Sequence, residues 1–230
     1  MAFIELKNIK KSYLLGDTQV HALRGINLKL NKGEFTALIG PSGAGKSTLL
    51  HILGTIDEPS EGEFLLDSKN ILTLNENEKS AIRNKKIGFI FQAFHLIPVL
   101  NVFENVELPL LVSSDLSREE RAARVIQALQ DVGLKDYIKH PPNKLSGGQR
   151  QRVAIARALV TQPDFILADE PTANLDSDTT HKIVNLLIDL NKKKHVTFLF
   201  CTHDEKLMNQ VHRHIRIQDG VVFDDTLVKT

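Results

Sequence analysis

Phe35-Thr36-Ala37-Leu38-Ile39 runs directly into Gly40-Pro41-Ser42-Gly43-Ala44-Gly45-Lys46-Ser47-Thr48, and this junction decides the fold. A short apolar, β-branched run reads as a buried strand, and Ser47 to Leu53 reads as the helix that follows it. Gly40, Gly45, Lys46 and Ser47 stand at the fixed positions of a phosphate-binding loop between strand and helix. Glycines let backbone N–H groups turn inward around a phosphate, and the helix N-terminus adds the positive end of its dipole. Lys46 is expected to reach the β- and γ-phosphates, and the Ser47 hydroxyl to ligate Mg²⁺. The binding set is therefore Gly40, Pro41, Ser42, Gly43, Ala44, Gly45, Lys46, Ser47 and Thr48, with a nucleoside triphosphate as ligand.

Similar runs recur at Ile87–Phe91, Phe165–Ala168 and Val196–Cys201, apolar on both faces as in strands of a parallel sheet covered by helices. Between them, Ser177 to Lys193 puts Ile183, Leu186, Leu187 and Leu190 on one helical face, with Asp176 or Ser177 as cap. The class is α/β. Near the N-terminus, Ile4–Lys7 and Ile26–Leu30 alternate apolar and polar, which predicts antiparallel strands with one wet face. Residues 93 to 157 read mostly helical: Ser117 and Glu120 make a capping box, Ala122, Val125, Leu129 and Val132 an apolar stripe, and Gly133 a stop. The expectation is a single domain over 1–230, with a core of about 1–92 and 158–230 and an inserted helical subdomain of about 93–157.

The 29 basic and 28 acidic residues leave a net charge of +1, which argues against a polybasic nucleic-acid binder. With 42% hydrophobic residues the chain can bury a sizeable core. The single cysteine, Cys201, lies in an apolar run and reads as an inert core thiol in a reducing compartment. The start, Met1-Ala2-Phe3-Ile4-Glu5, lacks the pattern of a signal peptide, and no apolar stretch approaches the ~18 residues of a spanning helix.

Phe165-Ile166-Leu167-Ala168 ends in Asp169-Glu170, a strand delivering two carboxylates at its C-terminal edge. Asp169 is expected in the Mg²⁺ shell, and Glu170 to polarise the water that attacks the γ-phosphate. Leu145-Ser146-Gly147-Gly148-Gln149 places a second Gly-rich anion site ahead of the helix Gln149 to Val160. Two phosphate-binding helix starts on one chain need not meet at one ATP. A two-fold dimer, each site pairing one chain's phosphate loop with its partner's Ser146-Gly147-Gly148, is the economical solution.

Together these motifs resemble the nucleotide-binding subunit of an ABC transporter, over essentially the whole chain. The resemblance implies a RecA-like P-loop NTPase core with an N-terminal antiparallel β subdomain and an inserted α-helical subdomain. It implies that Tyr13 stacks on adenine, that Gln92 touches Mg²⁺ and senses the membrane subunit, and that Ser146, Gly147, Gly148 and Gln149 form the signature. Glu170 becomes the general base, His203 the γ-phosphate contact, and Asp176 in Ala173-Asn174-Leu175-Asp176 the loop that crosses the dimer interface. That loop often reads Ser-Ala-Leu-Asp in the family, whereas here Ala173 and Asn174 precede Leu175. Alone, Tyr13 would read as a strand aromatic, His203 as a helix cap, and Gln92 as nothing in particular. Val20–Gly25, Leu53–Gly62 and Glu104–Leu110 resemble the branch of lipoprotein-releasing, macrolide-exporter and cell-division ATPases.

The implied activity is hydrolysis of ATP to ADP and phosphate, coupled to transport through integral membrane permease subunits. The chain would sit peripherally at the cytoplasmic face of the inner membrane, as a homodimer, with no nucleic acid partner. The sequence stops at Thr230 with no membrane domain, which favours a separate lipoprotein-releasing subunit over a fused exporter. Gln92–Leu100 is unusually apolar and is where the family docks its membrane subunit. A soluble ABC ATPase acting on DNA or ribosomes, and a P-loop kinase, are the readings from other classes. His212-x-His214 lacks a Cys or acidic partner at ligand spacing and reads as surface. Lys192-Lys193-Lys194 reads as a solvated helix end.

Overall fold

The computed structural model describes residues 2–112, 116–202 and 204–228. The chain opens with β1 (Ile4–Leu15), β2 (Thr18–Leu30) and β3 (Phe35–Ile39), followed by α1 (Lys46–Leu53), β4 (Glu61–Leu66) and β5 (Lys69–Asn70). It continues with α2 (Glu76–Lys86), β6 (Ile87–Ile90), α3 (Val102–Leu111), α4 (Arg118–Asp131) and α5 (Gly147–Leu159). It closes with β7 (Phe165–Asp169), α6 (Ser177–Lys194), β8 (Thr197–Cys201), α7 (Glu205–Met208), β9 (Arg213–Gln218) and β10 (Val221–Leu227).

The alternating N-terminal segments pair antiparallel from Ile4↔Leu30 to Leu15↔Thr18. Ile4, Leu6, Ile26, Leu28 and Leu30 point inward while Asn27 and Lys29 stay exposed. With β4 and β5 they form a sheet of order β2-β1-β4-β5. The second sheet has the order β10-β9-β3-β8-β7-β6, parallel from β9 through β6 with β10 antiparallel at the edge. Its central strands β3, β7 and β8 are apolar on both faces because each face has its own core. Phe165, Leu167, Leu199 and Cys201 pack with the β1–β4 side and α1, while Ile166, Ala168, Phe198 and Phe200 pack with residues of α3, α4, α5 and α6. At about 25 cal/mol per Å², this two-sided burial is what makes the central strands the stable part of the fold.

Local signals act where the sequence places them. Ser117 caps α4, its Oγ accepting from the Glu120 N–H at 3.2 Å while Glu120 accepts from the Ser117 N–H at 2.8 Å. Gly133 follows α4 at φ +71, the left-handed position that glycine fills without strain. Helix α6 is capped by Asp176, and Ile183, Leu187 and Leu190 are buried, with Leu186 half-buried. The expected strand 87–91 ends one residue early, at Ile90, and the expected helix from Gln149 begins at Gly147, capped by Ser146. Cys201 is fully buried, as its apolar neighbours indicate.

Candidate active site

The phosphate loop leaves the C-terminal end of β3 and closes on α1. Gly45 sits at the α1 N-cap with φ +102 and ψ +5, and a Cβ there would lie 2.5 Å from the Ala22 carbonyl oxygen. At Gly40 a Cβ would lie 2.1 Å from the Ile217 carbonyl oxygen. Both positions therefore exclude any side chain, one by backbone shape and close contact, the other by contact alone. Pro41, Ser42, Gly43 and Ser47 are exposed, Thr48 is half-buried, and Ala44 is buried beneath the loop. Lys46 is 9% exposed, and its Nζ donates to the carbonyl oxygens of Gly40 at 2.7 Å and Pro41 at 2.9 Å. The ammonium is thus folded back inside the loop, where a phosphate would meet it.

Strand register brings the carboxylates to the same edge. Leu38 pairs with Cys201, and Cys201 with Asp169, so Asp169 ends its strand in the row from which the phosphate loop departs. Cys201 feels both neighbours: burial pushes its thiol well above the ordinary range, the Asp169 charge pushes it further, and Lys46 opposes them. Glu170 follows at φ +46, an uncommon conformation for a non-glycine residue, and its N–H donates to the Cys201 carbonyl at 2.8 Å. Across the β8 end, Thr172 Oγ1 donates to Asp204 Oδ2 at 2.8 Å, which joins the loops after β7 and β8. His203 lies outside the described residues.

The signature occupies another place. Ser146 caps α5, its Oγ accepting from the Gln149 N–H at 3.2 Å while Gln149 Oε1 accepts from the Ser146 N–H at 2.9 Å. A Cβ on Gly148 would lie 2.3 Å from Thr179 Cγ2, and one on Gly147 3.5 Å from Leu175 Cδ2. The glycines therefore press the start of α5 against the crossing loop and α6. Asp176 caps α6 from that loop, accepting from the Thr179 N–H at 2.9 Å, and this bonding holds its carboxyl below the usual range. Helix α5 also packs on β6, the edge strand, with β7 and β8 between it and β3. The signature thus opens α5, whereas the phosphate loop opens α1.

Three arrangements escaped the sequence reading. Tyr13 Oη donates to Asp57 Oδ2 at 2.7 Å, and Lys11 Nζ donates to Asp57 Oδ1 at 2.6 Å while lying 4.9 Å from the Tyr13 ring centre. Partial burial opposes the Asp57 charge, but Lys11 and Tyr13 together hold its carboxyl below the usual range; burial and then the Asp57 bond raise the Tyr13 phenol. Gln92 is exposed, and its carbonyl accepts from Asn174 Nδ2 at 2.9 Å, so Asn174 ties the crossing loop to the glutamine segment. Asn105 is fully buried and bonds Ile97 through both N–H and C=O, and Leu100 and Asn101 through their carbonyls. These are pairings between distant segments, and only an asparagine at an apolar helical position could have hinted at the last.

In the apolar Gln92–Leu100 segment, Val99 and Leu96 behave differently. Val99 is 88% exposed, whereas Leu96 is half-buried against the core. His214, of the His-x-His pair, engages the Met208 carbonyl at 2.9 Å through Nε2. Among the described residues no group of three or more His, Cys, Asp or Glu could hold a metal ion. The residues near the phosphate loop fit Mg²⁺ in its usual manner, one hydroxyl (Ser47) and one carboxylate (Asp169) beside phosphate oxygens, since Mg²⁺ takes few protein ligands. Breaking the Tyr13 anchor gives a first prediction. Asp57→Ala removes a bond of about 1 kcal/mol and is expected to weaken nucleotide binding about fivefold, read by calorimetric titration.

Known proteins share this fold. The chain is 48% identical over 223 residues to a macrolide export ATP-binding/permease protein, MacB, of Bdellovibrio bacteriovorus, covering 96% of this chain and 34% of that one. It therefore spans about a third of that relative. It is 42% identical over 219 residues to the lipoprotein-releasing system ATP-binding protein LolD of Syntrophus aciditrophicus, covering 95% of this chain and 98% of LolD. It also matches the dimeric post-hydrolysis structure of the ATP-binding cassette MJ0796 of Methanocaldococcus jannaschii, bound to ADP and Pi, at TM-score 0.89 and 44% identity over 99% of both chains. With the ABC transporter family pattern matching residues 23–173, the chain belongs to the ABC transporter family.

Proposed function

We propose that this protein is the ATP-hydrolysing subunit of a membrane transporter and that two copies close around two ATP molecules to drive a separate permease. One observation carries the reading. The phosphate loop and Asp169–Glu170 share one strand edge, while the signature opens a different helix, packed against the crossing loop and α6. A second copy then supplies Ser146, Gly147, Gly148 and Gln149 to the γ-phosphate, with Asp176 at the interface. The solved dimer of the related cassette supports this.

In the closed site Lys46 leaves the Gly40 and Pro41 carbonyls for the β- and γ-phosphates, and loop N–H groups take the remaining oxygens. Tyr13, fixed through Asp57, offers its ring to adenine. Bound Mg²⁺ would neutralise developing charge on the phosphates. Glu170 accepts a proton from water as the water oxygen bonds to the γ-phosphorus. The bond to the β,γ-bridging oxygen breaks, and its electron pair leaves with ADP. His203 contacts the γ-phosphate, and Gln92 reaches the Mg²⁺ shell.

Among the permease partners open to this branch, we favour the lipoprotein-releasing kind, at the cytoplasmic face of the inner membrane. The full-length match to LolD supports it; a macrolide-exporter or cell-division partner is the second reading, favoured by the MacB match. Among the described residues no helix is long and apolar enough to cross a membrane. Val99 gives the docking face its exposed apolar contact. Val99→Asp is expected to lower permease-stimulated ATP hydrolysis about tenfold and leave basal hydrolysis unchanged, since a buried interface anchor is worth about 1–2 kcal/mol. Equal loss of both would sink the docking role. Leu96→Asp is unsuited to this test, because its half-buried side chain packs on the core. The partner itself is identified by capture from detergent-solubilised membranes with Glu170→Gln protein and ATP-Mg²⁺. A co-purified membrane subunit supports the transporter reading, whereas ribosomes or DNA alone would overturn it.

A further inference from the structure

Two consecutive non-glycine residues, Phe94 and His95, hold φ +56 and +47, separated from Gln92 by Ala93 alone. Left-handed backbone is uncommon for a bulky aromatic such as Phe94, and a left-handed pair outside a hairpin is held by its surroundings. The enforcing group is Arg157. Its Nη1 donates to the His95 carbonyl at 2.6 Å and its Nη2 to the Phe94 carbonyl at 2.7 Å. Among the described residues no carboxylate pairs with this guanidinium, and burial lowers its pKa. A mostly buried charge with two backbone carbonyls as partners holds those carbonyls firmly, because leaving either side unpaired is costly. Phe94 is fixed further by Arg150, whose guanidinium lies 5.4 Å from its ring centre, and His95 by Phe91, with ring centres 4.9 Å apart.

Arg157 and Arg150 both belong to α5, the helix that Ser146 caps. Arg157 lies eleven residues beyond Ser146, about 16 Å along the helix at 1.5 Å per residue. We propose that Arg157 is a positioning residue that clamps the strained Phe94–His95 turn to the signature helix, and thereby sets where Gln92 stands relative to the Mg²⁺–ATP site. The proposal rests on the reading of Gln92 as a member of the Mg²⁺ shell. The clamp makes the glutamine segment travel with α5, so a partner phosphate seated at Ser146 and the oxygen of Gln92 respond to one rigid body. The Asn174 bond to the Gln92 carbonyl ties the same segment to the crossing loop.

The test uses the full chain carrying Glu170→Gln and reads ATP-driven dimerisation by light scattering while Mg²⁺ is titrated. Arg157→Gln is expected to raise the Mg²⁺ midpoint about tenfold, the usual effect of losing an outer-shell partner. Adding His95→Gly, which takes positive φ without a clamp, is expected to recover at least half of that shift on a logarithmic scale. Hydrogen exchange of the 91–100 segment should quicken in Arg157→Gln while exchange within α5 stays as in the parent. Gln92→Ala serves as reference. If Gln92→Ala leaves the midpoint in place, the Mg²⁺ reading of Gln92 fails. If Gln92→Ala moves it and Arg157→Gln does not, the clamp fails. A fall in thermal stability alone, with the midpoint and the segment's exchange unchanged, also overturns the clamp, as does an unrescued midpoint with His95→Gly.

Discussion

Replacing Glu170 with glutamine is expected to cut steady-state ATP hydrolysis by about 10²–10⁴-fold, the usual contribution of a general base, while ATP binding persists. The substitution keeps size and shape, and the backbone here does not depend on the carboxylate: the Glu170 N–H is held by the Cys201 carbonyl at 2.8 Å. What is lost is the ability to accept the water proton at the end of β7. With hydrolysis blocked and both phosphate-binding helix starts intact, the dimer should accumulate with ATP trapped. Turnover and light scattering at saturating ATP-Mg²⁺ read both effects. Undiminished turnover would remove Glu170 as the base, and a protein that stays monomeric would remove the shared site.

Lys46→Ala should abolish measurable hydrolysis and weaken ATP binding by roughly 10–100-fold, since a hydrogen bond to a charged group is worth about 1.5–3 kcal/mol. The fold should survive. The Gly40 and Pro41 carbonyls lose their ammonium donor, but Pro41 lies on the exposed rim of the loop, where water replaces it. A melting temperature near that of the parent, with calorimetric affinity sharply reduced, is the expected pair of results. Affinity within about threefold of the parent would show that Lys46 stays on the loop carbonyls and does not reach the phosphates. That amount, below 1 kcal/mol, is too small for a charged contact.

Much of the architecture was legible because it is written in local chemistry. The two-faced apolar runs gave β3, β6, β7 and β8 to within a residue, since helices covering both faces leave no polar position to alternate. Ser117 with Glu120, and Gly133, marked the ends of α4 through bonds that span three residues or fewer. β4, β5, β9 and β10 were not found. Their sequences, such as Glu61–Leu66 and Val221–Leu227, mix charge and apolar residues, and each is stabilised by a neighbour distant in sequence or by an edge position rather than by its own pattern.

The sequence by itself determined the α/β class, from the alternation of apolar runs with helical stretches, and the phosphate loop, the carboxylate pair and the signature, because each of these three is a contiguous run of residues. Tertiary structure alone decided how these runs are arranged. Parallel register placed Asp169 beside the loop of β3, and Gly148 could seat α5 on Thr179 only once α6 had folded against it. The ties among Tyr13, Asp57 and Lys11, between Asn174 and Gln92, and between Arg157 and the Phe94–His95 turn join segments 44 to 82 residues apart. A hydrogen bond needs two groups within about 3 Å, and no spacing along the chain says which distant pair will arrive there.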